Sequence, residues 1–473
     1  MSRQARESLD LLLERAGLDA GAAMDVDFSG DDPLLPSRLR YSAATASALG
    51  ANAAGVNALW QHRTGRRQRV SVDLARAVHV GLRTTFHLRQ NGHAFRVGSW
   101  TRGENFFRTA DGRVVYLLRN NGRGTITQDL VGLLRASNDT VGIAQAVAGW
   151  RADELETALA ERKLPGTIVR RPDEWLEHPQ GQWLAARPGF SIDKIGDSPA
   201  EPLGPAKRPL DGLRILDASH VIAGPAVGRL LAEQGGDVLH VVNPAEQETI
   251  PVHIDTGFGK RSAFIDLNRV EDAEHLRRLA QQADIFIQSW RPGALQRRGF
   301  GPEALAALRP GIIYLSISCY GHEGPWATRG GYEPIGQAVC GLCAVEGTPE
   351  APRNAPTVTM NDFLAAYLAG AGIMGALLRR CHEGGSYHVS TSLAQASMWV
   401  LQQGLLPAQA ALGGPDYVAG EDELDTRDCA FGRITHARPV ARYSDTPAYW
   451  DLPPQPAGAS LPQWLSPAEG SAR

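Results

Sequence analysis

Short apolar runs and helical patterns alternate through the second half of the chain. The runs LRILD, DVLHVV, SAFIDL, ADIFIQS and IIYLSI read as fully buried strands. Helical patterns lie between them, from Pro225 to Gln234, from Val270 to Gln281 and from Pro302 to Leu308. Strand, helix and strand at this spacing form right-handed parallel units. The pattern therefore predicts an α/β fold with a doubly wound parallel sheet, and ligands at the carboxyl ends of its strands.

A long uncharged helix follows those strands. It is predicted from Met360 to Arg380 (MNDFLAAYLAGAGIMGALLRR) and carries no charge from Phe363 to Leu378. A helix that is apolar on all sides is a buried helix, and sixteen such residues fall short of a usual membrane span. One carboxylate, Asp362, stands at its head. An aspartate before an apolar run is also a common helix cap, so this residue alone leaves capping open.

The first half reads as a smaller α+β region. It predicts an amphipathic helix at the start, a small-residue helix from Leu39 to His62 and a helix from Ala152 to Ala160. Asp111-Gly112 lies between two β-rich runs, which indicates a hairpin from Phe107 to Arg119. The predicted domains are residues 1–190 with a small domain at about 90–150, a linker at 191–208, the Rossmann-like domain at 209–412, and a Pro/Gly-rich extended tail at 413–473.

An internal repeat joins the two halves. ALLRRCHEGGSYHVSTSLAQA, from Ala376, resembles ALWQHRTGRRQRVSVDLARA, from Ala58, with one inserted residue. Counting back along the two helices places Ala44 where the second copy has Asp362. Repetition indicates a duplicated unit, and only the second copy carries an acid.

Composition narrows the function classes. The chain has 473 residues, 43% hydrophobic and 21% charged, with a formal net charge of −3. No global field favours nucleic acid or a membrane surface. The five cysteines lack a pattern and no N-terminal signal is evident, so we expect a cytoplasmic protein. The pair in CGLC, Cys340 and Cys343, is interpreted as packing, and no metal cluster is expected.

Two features bear on an anionic cofactor. No G-x-G-x-x-G motif follows a strand, which disfavours a dinucleotide-dependent oxidoreductase. Basic residues collect at Lys260-Arg261 and at Arg291, Arg297 and Arg298. They form either a solvated rim or a phosphate-binding set.

Several of these segments, in order across about residues 209–400, resemble the class III CoA-transferases. This CaiB/BaiF family includes formyl-CoA transferase, carnitine CoA-transferase and the α-methylacyl-CoA racemases. The matching segments are PLDGLRILDASHVIAGP, GKRSAFIDL, ADIFIQSWRPGALQRRGFG, IIYLSISCYGHEGPW, GGYEPIGQAVCGL and NDFLAAYLAGAGIMGALLRR. The first half resembles later parts of the family, so the order of segments is permuted, or two trimmed copies are fused.

The resemblance implies a fold with a CoA-transferase III-type large domain and a smaller α+β domain, and it assigns site residues. The family nucleophile falls on Asp362. The family's CoA-contacting positions fall on His220, Val221, Ile222, Ala223, Lys260, Arg261 and Arg297. Coenzyme A then moves between an acyl-CoA and a free carboxylic acid through an aspartyl anhydride and an aspartyl-CoA thioester. The resemblance implies no tightly bound cofactor and a homodimer, and the amino end of the helix is expected to keep Asp362 ionised and to offer N–H groups to an oxyanion.

Two alternatives stay open. The racemase position that holds a histidine is Tyr332 here, with Glu333 beside it, and tyrosine is a poor base at neutral pH. A non-catalytic acyl-CoA binder is motivated by Ile222, where transferases often have glutamine, by the absence of an evident glycine-rich flap and by the acid-free repeat.

Overall fold

The computed structural model describes residues 2–95, 105–119, 126–246, 248–357, 359–409 and 417–465. The helices are α1 (Arg3–Ala16), α2 (Tyr41–Thr64), α3 (Leu74–Arg76), α4 (Ile126–Leu134), α5 (Thr140–Val147), α6 (Ala152–Glu161), α7 (Pro172–Glu177), α8 (Pro179–Ala185), α9 (Ala223–Ala232), α10 (Ile250–Gly257), α11 (Val270–Ala280), α12 (Pro302–Leu308), α13 (Glu333–Val339), α14 (Leu342–Glu346), α15 (Met360–Glu383) and α16 (Leu393–Gln402). The strands are β1 (Val26–Ser29), β2 (Val70–Asp73), β3 (Arg89–Gln90), β4 (His93–Ala94), β5 (Phe106–Arg108), β6 (Val114–Leu117), β7 (Gly166–Ile168), β8 (Ser191–Gly196), β9 (Arg214–Asp217), β10 (Asp237–Val242), β11 (Lys260–Phe264), β12 (Ile285–Gln288), β13 (Ile313–Ser318), β14 (Ser386–Ser392), β15 (Leu424–Cys429), β16 (Gly432–Ala437) and β17 (Arg442–Tyr443).

A seven-stranded sheet forms the centre of the second half. Its strand order is β11-β10-β9-β12-β13-β14-β8, and all neighbours are parallel except the edge strand β8. Helices on both faces bury its apolar strands, as a parallel sheet requires. The predicted doubly wound α/β fold is confirmed. The strand order reverses between β9 and β12, which is where such sheets open a crevice.

The repeat found in the sequence is a repeat of structure. In the first copy β1 and β2 are parallel and α2 connects them; in the second copy β13 and β14 are parallel and the chain between them includes α15. Each copy ends in an antiparallel strand, β17 on β2 and β8 on β14. Because β8 precedes the second copy in the chain and β17 follows it, the two copies are interlocked by exchanged strands.

The match between the copies needs no inserted residue. Gly65 and Gly384 end the two long helices, both with positive φ, at 72° and 71°. Superposing these glycines puts Val70 on Val389 and places Ala43, rather than Ala44, on Asp362. The register given above was wrong by one residue, and the first copy still lacks an acid.

The two repeated helices pack against each other in one core. A methyl group on Gly370 would stand 2.6 Å from the Asn52 side-chain oxygen, so glycine allows the close approach of α15 and α2. α15 is long and apolar enough to cross a membrane by length and composition, but 94% of its apolar window is buried inside this protein. It is a core helix, as its uncharged sequence indicates.

The predicted small domain forms around the predicted hairpin. β5 and β6 are antiparallel on either side of Asp111-Gly112, β7 completes a three-stranded sheet, and α4, α5 and α6 pack on it. The small domain contacts the second half of the chain near α13, where the Arg170 backbone N–H donates a hydrogen bond to the Ala338 carbonyl at 3.2 Å. Its predicted helix is confirmed as α6.

Three predicted boundaries are corrected. The linker at 191–208 begins with β8, which pairs in the central sheet. The tail at 413–473 contains β15, β16 and β17, and its hairpin pairs with β3. Residues 1–190 are not a separate unit, because α1 and α2 share a core with α15. Exchanged strands and a shared core make the two halves one structure.

Candidate active site

Loops that follow two neighbouring strands, β9 and β12, meet at the carboxyl edge of the large sheet. The loop after β9 carries His220, and the loop after β12 carries Ser289 and Trp290. The Ser289 hydroxyl accepts a hydrogen bond from the His220 N–H at 2.9 Å, and the His220 ring stacks on Trp290 at 4.1 Å. These contacts join the two sides of the crevice at the point where the strand order reverses.

The predicted CoA-contacting loop is tightly shaped. Val221 has a φ of 64°, which is an outlier for a β-branched residue and persists only where the surroundings impose it. Its N–H donates to the Glu248 carboxylate at 2.8 Å. Ile222 is buried, and Ala223 is the first residue of α9. The backbone from His220 to Ala223 is therefore fixed in one conformation along the crevice.

The predicted arginine lies at the same edge. Arg297 is exposed, in a 3₁₀ turn Gln296–Arg298 after β12. Nearby, Arg291 donates from Nη2 to the Lys163 carbonyl of the small domain at 2.9 Å. The structure thus places Arg297 beside the crevice and uses Arg291 to tie the small domain to its rim.

Lys260 and Arg261 do not fit the predicted phosphate role. Lys260 is 2% exposed, and its amine donates to the Asp217 carboxylate at 2.8 Å and to the Pro225 carbonyl at 2.5 Å. Arg261, also buried, pairs with Asp237 at 3.0 Å. Both lie at the start of β11, away from its carboxyl end. We correct the prediction: these cations stabilise the sheet and α9.

Asp362 is the third residue of α15 and is buried, with 6% exposure. It does not cap the helix, because Thr359 is the N-cap residue, and no described group donates a hydrogen bond to the Asp362 carboxylate. Cys319, which directly follows β13, is close enough that the Asp362 charge helps to raise the pKa of its thiol. The capping hypothesis is wrong, and the acid stands beside the carboxyl end of β13.

Glu333 is a second buried carboxylate at this place. Its Oε1 accepts from the Asn361 N–H at 3.0 Å and from the Gln337 side-chain amide at 2.7 Å. Asn361 donates back to the Glu333 carbonyl at 3.1 Å and accepts from the Ser397 hydroxyl at 2.7 Å. This network fixes the start of α15 against α13 and α16.

Burial disfavours the charged form of both acids. It raises the pKa of Glu333 to about 7. Burial, and secondarily the charge of Glu333, raises the pKa of Asp362 well above its usual range. The first turn of α15 does little to stabilise the charged form of Asp362. The Asn361 N–H binds Glu333, and the Asp362 N–H donates to the Thr359 carbonyl at 3.1 Å. Burial therefore opposes the ionisation that the sequence predicts for Asp362, and the N–H groups of Asn361 and Asp362 are already engaged.

Sequence reasoning missed two features. Glu333 was noted only as a neighbour of Tyr332, although a lone acid in an apolar run signals a buried partner. A second repeat also went unnoticed: Ala-Arg-Pro followed by Asp-Ser-Pro-Ala at 197–200 recurs as Ala-Arg-Pro followed by Asp-Thr-Pro-Ala at 445–448. These segments include the exchanged strands β8 and β17.

The described residues hold no group of three or more histidines, cysteines or acids arranged for a metal ion. Cys340 and Cys343 are buried free thiols, in keeping with their interpretation as packing. The chemistry available is therefore that of two buried carboxylates, Asp362 and Glu333, at the starts of α15 and α13, and of a stacked histidine and an exposed arginine in the loops at the crevice.

Comparison with known proteins gives matches in the same part of the chain. Residues 210–426 match the sequence model of CoA-transferase family III. Acetyl-coenzyme A transferase nodX of Hypoxylon pulicicidum is 32% identical over 55% of this chain and 46% of its own length. Succinyl-CoA–D-citramalate CoA-transferase of Chloroflexus aurantiacus is 31% identical over 44% of this chain and 54% of its own. A CaiB/BaiF family protein from Brucella suis has a solved structure, 28% identical over 48% of this chain and 65% of its own, with a TM-score of 0.38. The chain spans about half the length of the curated relatives it matches.

Proposed function

We propose, on the premise that residues 210–426 belong to CoA-transferase family III, that this chain transfers coenzyme A between an acyl-CoA thioester and a free carboxylic acid. One observation carries the proposal. Asp362 is a buried carboxyl group without a described hydrogen-bond donor, at the start of α15 and close enough to Cys319, the residue after β13, for its charge to act on that thiol. A carboxylate held away from water suits covalent acyl chemistry.

The reaction proceeds through two covalent intermediates on Asp362. Its carboxylate oxygen attacks the thioester carbonyl, the carbon–sulfur bond breaks, and CoA thiolate leaves a mixed anhydride. The thiolate then attacks the aspartyl carbonyl and expels the donor acid, which leaves an aspartyl-CoA thioester. An acceptor carboxylate reverses the two steps and forms the new acyl-CoA. No oxidant or metal enters this balance.

The remaining residues have supporting roles in the proposal. His220, Val221, Ile222 and Ala223 form the wall that coenzyme A would follow, and Arg297 provides a cation for its phosphates. Glu333 would position the start of α15 through Asn361 and add to the effect of burial, which raises the pKa of Asp362. Cytoplasmic location and a homodimer stay predictions from the sequence.

Trapping tests the covalent step directly. The protein is incubated with succinyl-CoA and then hydroxylamine, and its peptides are analysed by mass spectrometry. We expect a hydroxamate on Asp362 that requires the acyl-CoA and is absent from Asp362→Asn. Glu346→Gln, which alters another buried acid, should still give the adduct.

Two results would contradict the proposal. Binding of acyl-CoA without any adduct on Asp362 would favour a non-catalytic binder. Incorporation of deuterium next to the carbonyl of a 2-methylacyl-CoA in D₂O, without exchange of CoA between acids, would favour a racemase.

A further inference from the structure

The two repeated helices lie side by side and end at the same place. Gly55 of α2 lies against Met374 of α15, and further along both helices His62 lies against His382. The two contacts come in the same order along the two helices, so α2 and α15 run in the same direction. His62 is in the last turn of α2, and His382 is in the last turn of α15. One imidazole from each copy therefore stands at the carboxyl end of the helix pair.

The two imidazoles face each other through one nitrogen each. His382 Nε2 lies 3.2 Å from His62 Nδ1, and the ring centroids are 5.0 Å apart with an angle of 64° between the ring planes. Among the described hydrogen bonds, this is the only one that either side chain makes. The outer nitrogens, His62 Nε2 and His382 Nδ1, can therefore carry the ring protons while the facing nitrogens present lone pairs.

The separation of the two facing nitrogens fits a metal ion bound by both. Zinc binds imidazole nitrogen at about 2.0–2.1 Å, and tetrahedral geometry places two such nitrogens about 3.3 Å apart. The observed separation is 3.2 Å. Each lone pair must point at the ion rather than at the other ring, which needs rotation of the side chains, and His382 is exposed while His62 is half-buried. The two ligands can therefore bind an ion without movement of the helices.

The surroundings favour neutral rings and a bound cation. Burial, and next the charge of His382, lower the pKa of His62, so its ring is neutral near pH 7 and able to coordinate. The carboxyl end of a helix carries about half a negative charge, and two such ends meet here. Arg63 opposes a further positive charge, although its terminal nitrogens are held by the carbonyls of Gly204 at 2.7 Å and Asp211 at 2.9 Å. We therefore expect moderate rather than tight affinity.

Binding of an ion replaces the hydrogen bond between the rings. Without metal, one facing nitrogen keeps a proton and donates it to the other. With metal, that proton lies on the outer nitrogen of the same ring, so the change in the protein is a change of tautomer, and no oxidation or reduction is involved.

We propose that His62 and His382 form a binding site for a divalent cation that prefers imidazole ligands, such as Zn²⁺ or Ni²⁺. Imidazole suits these ions, whereas Mg²⁺ and Ca²⁺ require oxygen ligands. Water molecules complete the coordination. The ligands are 320 positions apart in the chain, so the ion links the two copies of the duplicated unit. The site lies at the end of α15 opposite to Asp362 and is separate from the proposed transfer reaction.

Titration calorimetry and thermal unfolding test the site in the full chain, prepared without a tag and freed of metal with EDTA. The probes are NiCl₂, ZnCl₂ and MgCl₂. We expect Ni²⁺ and Zn²⁺ to bind and to raise the unfolding temperature, because the folded chain alone brings the two ligands together, and Mg²⁺ to do neither. His62→Gln and His382→Gln should each weaken binding by about tenfold or more, since loss of even an outer-shell partner of a metal ligand costs about 10- to 100-fold.

Controls separate this pair from other histidines. His93→Gln changes an exposed histidine in β4 and should leave the affinity for Ni²⁺ unchanged. His382 is exposed, so His382→Gln should fold, and circular dichroism without metal checks each variant. The proposal is overturned if neither Ni²⁺ nor Zn²⁺ binds, if Mg²⁺ raises the unfolding temperature as much as Ni²⁺ does, or if either folded variant of the pair keeps the parent affinity.

Discussion

Gly55 and Met374 occupy matching positions in the two repeated helices and lie directly against each other: a Cβ built on Gly55 would overlap the Met374 Cβ. When two copies are related by a two-fold axis, a residue that meets its own counterpart lies on that axis. The internal axis of the duplication therefore passes between α2 and α15 at this pair.

Gly55→Ala should destabilise the protein, because the added methyl group forces the helices apart. We expect the free energy of unfolding to fall by about 1–3 kcal/mol, the usual cost of overpacking. Urea denaturation measures it. Gly132→Ala in α4, where nothing lies within 4 Å, should instead gain about 0.5–1 kcal/mol. Equal effects of the two changes would refute the close approach.

Glu333→Gln should move the pH dependence of transfer. In the proposed reaction the attacking group is the Asp362 carboxylate, so the rate should rise with pH as Asp362 loses its proton. The charge of Glu333 raises the pKa of Asp362, and its removal lowers that pKa. We expect the rising limb of kcat/KM against pH to shift to lower pH. Glu346→Gln removes a buried acid that accepts from Ser37 and Tyr41, and it should leave the limb in place.

Lys260→Met should cost stability rather than CoA affinity alone. It leaves Asp217 buried and unpaired, which typically costs about 3–5 kcal/mol. Urea denaturation should show this loss, and the added change Asp217→Asn should recover part of it. A folded double variant that fails to bind CoA would restore the phosphate role that the sequence predicts for Lys260.

Acid should destabilise the fold through a buried histidine. Burial lowers the pKa of His388 to about 3, and its Nε2 lies 2.9 Å from the Ser316 hydroxyl. The unfolded chain binds a proton near pH 6.5 and the folded chain does not, so the stabilising contribution is complete above that pH and is lost as the pH falls. By about pH 4 the loss is roughly 3 kcal/mol. His388→Gln should make the free energy of unfolding less dependent on pH between about pH 6.5 and pH 4. His93→Gln, at an exposed site, should leave that dependence unchanged.

The sequence by itself determined the parts that local periodicity encodes. The parallel strands, the hairpin at Asp111-Gly112, the long buried helix and Asp362 near its start all follow from spacing and apolar content. These features depend on residues that are close along the chain, and physical rules for such spacing are strong.

Only the tertiary structure decided how distant residues meet. Lys260 looks like a surface cation in sequence, but Asp217 pairs with it in the core. Asp362 looks ionised at a helix start, but burial beside Glu333 makes its charged form costly. The exchange of β8 and β17 between the copies likewise depends on contacts across more than a hundred residues. Desolvation and pairing are set by the assembled surroundings, and no local pattern contains them.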